Sequence, residues 1–314
     1  MNRKSGLYSN NFHKGFSKHL MSQERELIMV RHAGDILTGS SENNWKSSEI
    51  FHGDTREIVA SLQNEFYSSI ITSPPYWGKR DYGYSGQIGA EESLNEYIDH
   101  LVSIFRILRD KLKKDGTFWL NIGDSYTSGN RTWRAEDKKN PARGMTYRPQ
   151  TPVGLKPKDL IGIPWRLALA LQADGWYLRS DIIWYKPNCQ PESVKDRPTQ
   201  SHEYLFMFSK NEDYYYDYEN MREPAAEKGK TRNKRTVWQV NTEPFPEAHF
   251  ATFPEELIKP IIYATSKEGD FILDPFFGAG TVGVVCKKLK RNYHGIELKE
   301  DYIEISEKRI SNVA

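Results

Sequence analysis

Cysteine is nearly absent from the 314-residue chain, which has only Cys189 and Cys286. Two thiols cannot build a disulfide framework or a cysteine zinc site, and the eight histidines fall without ligand spacing. A protein of a reducing compartment with no metal is therefore expected. Long apolar runs are also missing: no stretch of about 18 apolar residues offers a membrane span. The opening MNRKSGLYSNNFHKGFSKHL lacks the apolar centre of a signal peptide, so a soluble, cytoplasmic protein without membrane contact is expected. Net charge is close to zero, +2 from 44 basic and 42 acidic residues, and neither requires nor forbids nucleic acid. Apolar residues are sparse at 38%, yet 8 Trp, 18 Tyr and 14 Phe are too many for a disordered polymer. The polarity must belong to loops around a real core.

Residues 1–46 hold no period of 2 or 3.6 and suggest a poorly ordered arm. A strand at 49–53, a helix at 56–64 and a strand at 68–72 then make a parallel crossover unit. Ser93 and Glu96 form a capping box ahead of apolar residues at 3/4 spacing, from Leu94 to Leu112, and Lys114-Asp115-Gly116 should end that helix before a strand at 117–122. The stretch 125–158 carries no apolar period and marks a long loop. A helix at 163–173 and strands near 178–185 and 204–208 follow. The final block holds a helix near 254–265, a strand at 271–273, a glycine loop, a helix to 289, a strand at 293–296 and a helix at 300–310. Strands alternating with helices at both ends indicate one α/β layered sheet. The chain divides into the arm 1–46, a catalytic half 47–187, a polar recognition region 188–248 and a cofactor half 249–314.

Two loops carry chemistry. Gly278-Ala279-Gly280-Thr281-Val282-Gly283 fits G-x-G-x-x-G between a strand and a helix, and Glu297 ends the next strand, where a carboxylate can hold both ribose hydroxyls. The pattern alone leaves nicotinamide cofactors and other adenosine ligands open, beside an ordinary tight turn. Asp274, just ahead of the loop, would repel a pyrophosphate but attract an ammonium or sulfonium group. The second loop, Ser73-Pro74-Pro75-Tyr76-Trp77, follows a strand; its prolines fix the backbone and remove two donors, leaving rigid carbonyls beside a hydroxyl and aromatic rings. An exocyclic amine on a nucleobase has matching needs, two N–H donors and a π-face.

The two loops in this order resemble the S-adenosylmethionine-dependent amino-DNA methyltransferases, specifically their permuted β group, over residues 48–312. The resemblance implies a Rossmann-like, circularly permuted seven-stranded sheet with an inserted target-recognition region. It implies that Ser73, Pro74, Pro75 and Tyr76 form the catalytic loop, and that Asp54, Phe250, Thr252, Asp274, Phe276, Gly278, Gly280, Thr281 and Glu297 hold S-adenosylmethionine. Trp77 and Lys186 would border the flipped base. Serine at the first motif position resembles members acting on cytosine N4, with adenine N6 the alternative. An RNA or protein-amide methyltransferase and a non-enzymatic DNA-binding module are the remaining alternatives. Cys189 reads as structural or incidental, because the chain has no Pro-Cys motif of cytosine-C5 enzymes. Double-stranded DNA is the expected partner, in a restriction-modification or marking role near the nucleoid; relatives also suggest a cognate endonuclease and a homodimer. Phosphate contact is expected from Arg131, Arg134, Lys138, Lys139 and Arg143 in the first loop, with Trp133 and Tyr147 interleaved. Lys230, Arg232, Lys234 and Arg235 beside Trp238 form the second basic stretch.

Overall fold

In the computed structural model the described residues are 28–34, 47–81, 83–84, 86–128, 133, 148–243 and 252–313. The elements run β1 (Met29–His32), β2 (Glu49–His52), a short helix α1 (Thr55–Ile58) continued as a 3-10 turn (Val59–Ser61), β3 (Tyr67–Thr72), α2 (Leu94–Lys111) and β4 (Leu112–Ile122). Next come α3 (Ile163–Ala173), β5 (Tyr177–Tyr185), β6 (His202–Ser209), β7 (Glu223–Pro224), β8 (Thr231–Arg232) and β9 (Val237–Gln239). The chain closes with α4 (Glu255–Thr265), β10 (Phe271–Asp274), α5 (Thr281–Lys288), β11 (Asn292–Glu297) and α6 (Glu300–Ser311).

The main sheet has nine strands in the order β1-β2-β11-β10-β3-β4-β6-β5-β9. Its inner seven are the expected core; β1 and β9 extend the two edges, and neither is expected from the sequence. Pairing is parallel from β1 through β4, and β6 runs antiparallel to both β4 and β5. The C-terminal strands β10 and β11 thus lie between the N-terminal β2 and β3.

Strand side chains alternate between two cores, as a pleat requires. Phe51, Ile70, Phe118, Leu120, Phe206 and Phe208 face the side covered by α2 and α3. Their neighbours Ile50, Ile71, Trp119, Leu205 and Met207 face α4, α5 and α6. Strands buried on both faces read as continuous apolar runs, and helices on both sides of the sheet follow from that.

Local signals hold where short-range chemistry decides. Ser93 accepts from the Glu96 amide at 3.2 Å and Glu96 accepts from the Ser93 amide at 3.1 Å, so the capping box starts α2 as expected. Its end differs: β4 begins at Leu112, directly after Lys111, without a glycine stop. Buried Lys111 donates instead to Leu62 O, Ala60 O and Asn64 Oδ1, fastening this corner from the side. The expected helix at 56–64 is only α1 and its 3-10 turn. The unpatterned arm contains β1, whose order is tertiary: it pairs with β2, and Arg31 bonds the fully buried Glu49 at 2.8 Å.

A Cβ built on Gly295 in β11 would stand 2.3, 2.4 and 2.6 Å from three ring atoms of Phe277, which is itself buried. Gly295→Ala should therefore displace the glycine-loop phenylalanine and cost about 1–3 kcal/mol of stability, measured by denaturant unfolding.

Candidate functional site

Strand order reverses between β10 and β3: β10 is followed in the sheet by β11 on one side, β3 by β4 on the other. Crossovers leave such a point in opposite directions and open a crevice at the carboxyl ends of the strands. A cavity of about 1210 Å³ occupies it, bordered by Asp54, Ser73, Asn121, Lys186, Asp274 and Glu297 among others. Both sequence loops open into this one space.

On the glycine-loop side, Asp274 ends β10 with 2% of its surface exposed. Its Oδ1 accepts from Thr72 Oγ1 at 2.6 Å and from the Phe276 amide at 3.0 Å. Burial overrides these bonds and pushes its carboxyl up to about 7, with the Glu297 charge adding to the rise. Glu297 accepts from the amides of Gly278 and Lys299, each at 2.8 Å, and burial likewise carries it to about 7. Gly278 has φ +51°, and a Cβ there would meet nothing within 4 Å, so the backbone presents a bare face to the cavity. Gly280 caps α5 with φ +73°. Phe276 and Thr252 border the cavity. The Thr281 hydroxyl is bonded by Arg309 at 3.1 Å, so this residue fastens α5 to α6 as well as lining the cavity. Asp54 also lines it, but its carboxylate caps α1 and is held by Arg56. Although burial works to raise it, those Arg56 bonds keep Asp54 below the usual carboxylate range. Phe250 lies outside the described residues.

On the other side, Pro74 is buried, and Ser73 Oγ donates to Tyr76 Oη at 3.3 Å. Tyr76 Oη in turn donates to Glu203 Oε2 at 2.9 Å. Lys186 ion-pairs with the opposite oxygen of Glu203 and stands 4.0 Å from the Trp184 ring centre. Gly123 makes room for this group, since a Cβ there would lie 2.9 Å from the Tyr76 ring and 3.2 Å from the Glu203 carboxyl carbon. Tyr97 Oη donates to Pro75 O at 2.9 Å and fixes the double-proline backbone from α2.

Glu203, Asn121 and Asp124 were missed in the sequence. Asp124 accepts from the amides of Ser125, Gly162 and Ile163 and so ties the end of β4 to the start of α3. Its place after a strand and glycine was the available signal. Glu203 had none, because its position follows from strand pairing.

The expected base contact of Trp77 is corrected. Trp77 is 4% exposed and spends its indole N–H on Glu91 O at 3.0 Å, so it packs in the core and offers no face to a base. Trp238 is likewise buried, 6.5 Å from Trp119. Lys230 pairs with Glu227 and Arg232 with Glu223, each at 2.8 Å, because β7 and β8 fold the acids back onto the cations. Lys234 lies 4.8 Å from the Trp238 ring centre, and Arg235 O accepts from the Trp238 indole. Arg131, Arg134, Lys138, Lys139, Arg143 and Tyr147 lie outside the described residues. Trp133 is 62% exposed and, with Arg148 and Arg197, borders a second cleft of about 730 Å³. Among the described residues no helix is long and apolar enough to cross a membrane.

A family model described as DNA methylase matches residues 67–308. The chain is 60% identical over 270 residues to the Type II methyltransferase M.SmaI of Serratia marcescens, covering 86% of this chain and 92% of the relative. It is 61% identical over 261 residues to the Type II methyltransferase M.Cfr9I of Citrobacter freundii, covering 83% and 87%. Among solved structures it resembles the PvuII DNA methyltransferase (cytosine-N4-specific), with a TM-score of 0.63 and 22% identity over 85% of this chain and 91% of that one. A putative DNA modification methylase from Thermus thermophilus, complexed with S-adenosyl-L-methionine, aligns with a TM-score of 0.59 and 22% identity over 83% and 92%.

A carboxyl raised by folding takes up a proton on folding, so its contribution to stability falls as pH rises from the unfolded value toward 7. Buried His294, lowered to about 4 by burial, works in the opposite direction between 4 and 6.5. The informative quantity is therefore the difference between wild type and Asp274→Asn. The thermal midpoint of the variant should rise relative to wild type from pH 4 to pH 7; a difference independent of pH would exclude an Asp274 carboxyl near 7.

Proposed function

The chain belongs to the N6/N4 DNA methylase family, and from that membership we propose that it methylates the N4 amine of a cytosine turned out of duplex DNA. S-adenosylmethionine is the cofactor and supplies an electrophilic methyl group on a sulfonium centre. The chain's residues fit that molecule. Gly278 leaves open space where a side chain would stand, Phe276 lines the cavity with an aromatic side chain, and Asp274 and Glu297 are buried carboxyls suited to a cation and a ribose.

The observation that carries the reading is the shared cavity. Ser73 to Tyr76 and the Asp274 to Thr281 loop open into the same space, so a base at one end meets a cofactor at the other. Ser73 Oγ and the Pro74 carbonyl would accept the two amine hydrogens and orient the nitrogen lone pair toward the donor. The Tyr76 ring would stack the base, and buried Pro74 keeps the carbonyl fixed. Catalysis then comes from proximity and preorganised acceptors, with no covalent adduct. Lys186 borders the base end of the cavity and can donate to a ring acceptor.

Serine as the first residue of the Pro-Pro-Tyr motif favours cytosine N4 over adenine N6, in line with the cytosine-N4-specific PvuII methyltransferase whose fold the chain resembles. The Type II methyltransferase names of close relatives support a role in protecting DNA from an endonuclease of the same specificity.

DNA incubated with the protein and S-adenosylmethionine, digested to nucleosides and examined by mass spectrometry, should contain N4-methylcytosine. N6-methyladenine in its place would assign the other base, and neither product would overturn the enzyme reading. Ser73→Ala should reduce methyl transfer by roughly 100-fold with cofactor affinity retained, reflecting loss of one aligned acceptor. With Asp274 and Glu297 near 7, affinity for the cationic cofactor should rise from pH 6 to pH 8, about tenfold for each carboxyl that must ionise, measured by calorimetry.

A further inference from the structure

We infer that Glu203 is a positioning residue for the reaction: through Tyr76 it fixes the direction of the Ser73 hydroxyl, so that Ser73 turns lone pairs alone toward the target amine. The inference rests on the reading of Ser73 as an amine acceptor.

A serine hydroxyl can donate or accept, unlike an amide carbonyl, which only accepts. With its proton turned into the cavity, Ser73 would oppose the amine hydrogens or bond the nitrogen lone pair that must react. Something outside the serine has to set its direction, and an ordered chain of bonds does so. Ser73 Oγ donates to Tyr76 Oη at 3.3 Å, and Tyr76 Oη donates to Glu203 Oε2 at 2.9 Å. Asn121 Oδ1, 3.5 Å from the same phenol oxygen, is a second acceptor drawing its proton the same way.

The far end of the chain is a fixed acceptor. One Glu203 oxygen is held by Lys186, and the other also accepts from Asn121 Nδ2 at 3.2 Å. Burial alone would raise this carboxyl, but the Lys186 charge and these hydrogen bonds keep it below the usual range, so it stays ionised and has no proton to offer. Burial and the Glu203 charge push the Tyr76 phenol well above its ordinary value, so it keeps its proton and must give it to the carboxylate. Each donor in the chain is thereby assigned, and the cavity-facing side of Ser73 is left with lone pairs.

The arrangement depends on three separate strands. Glu203 is the second residue of β6, which runs antiparallel to β4, so its start meets the carboxyl ends of β3 and β4. Lys186 follows β5, and Asn121 pairs with Leu205 across the β4–β6 ladder.

Glu203→Gln keeps shape but gives Tyr76 an N–H neighbour when Lys186 occupies the amide oxygen. The phenol then loses the ionised acceptor that directed its proton and keeps only Asn121 Oδ1 at 3.5 Å, so the Ser73 hydroxyl can turn into the cavity. Under single-turnover conditions the variant should lose roughly 10- to 100-fold in methyl-transfer rate, while cofactor and DNA dissociation constants stay within about twofold of wild type. Tyr76→Phe breaks the same chain with the ring and the ion pair intact and should fall in the same range. The double variant should be no slower than the worse single one, as expected for two cuts in one chain. A wild-type rate in Glu203→Gln, or losses that multiply in the double variant, would overturn the inference. Should Glu203→Gln fail to fold by circular dichroism, a wild-type rate in Tyr76→Phe would overturn it alone. Near wild-type transfer by Ser73→Ala is the distinct result that removes the underlying site reading.

Discussion

A carboxylate buried where two strands from opposite ends of the chain meet sets the terms for the rest of the molecule. Asp274 ends β10, Thr72 ends β3, and the 2.6 Å bond between them closes the top of the sheet at the point where strand order reverses. A charge in so enclosed a place costs free energy unless bonded or neutralised, and a hydroxyl and one amide leave the acid near 7. The same carboxyl holds the Phe276 amide and starts the glycine loop. Gly278 can then reach Glu297, while Phe277 closes against the empty face of Gly295. The glycine loop and the double-proline loop stand side by side because the β10–β3 ladder and the Asp274–Thr72 bond join the strands that precede them.

The cavity therefore has two electrostatically different ends. At the glycine loop, Asp274 and Glu297 are raised by burial, and the charge that would favour their ionised forms can come from a ligand. At the double-proline loop, Glu203 has its own cation in Lys186 and is held ionised by it. A cationic cofactor and a neutral base, as proposed for this cavity, would thus meet surroundings that suit each of them.

Legibility in the sequence followed the range of the interactions involved. Ser93 and Glu96 are three residues apart and announced their helix; the Pro-Pro-Tyr and glycine motifs carry their chemistry within a few residues and pointed to one site. The alternation of α and β elements gave the layered sheet because each strand had to be buried on both faces. What needed distant partners stayed hidden. β1 is only four residues and owes its order to β2 and to the Arg31–Glu49 pair. Trp77 looks available for stacking in the sequence because it directly follows the Ser-Pro-Pro-Tyr motif, yet Glu91 O, brought back by the following loop, takes its N–H. Lys230 and Arg232 looked like a bare basic run because their acids precede them by three and nine residues and meet them only in a turn and a two-strand ladder.

Glu203 is the sharpest case, since nothing adjacent to it in sequence bears on Ser73. Strand β6 is antiparallel within an otherwise largely parallel sheet, and that reversal alone brings the beginning of β6 to the carboxyl ends of β3 and β4. A parallel strand in its place would deliver its last residue to the cavity and carry its second residue to the far edge of the sheet. The antiparallel strand thus does more than complete a sheet. It supplies an acid to a site whose other members lie mostly at strand ends or in the loops that follow them, and it does so from a strand residue paired with Trp184 of β5. A directing group for a hydroxyl must itself be fixed more firmly than the hydroxyl it directs, and a residue inside a strand, paired with a lysine from the neighbouring strand's end, meets that requirement better than one on a loop.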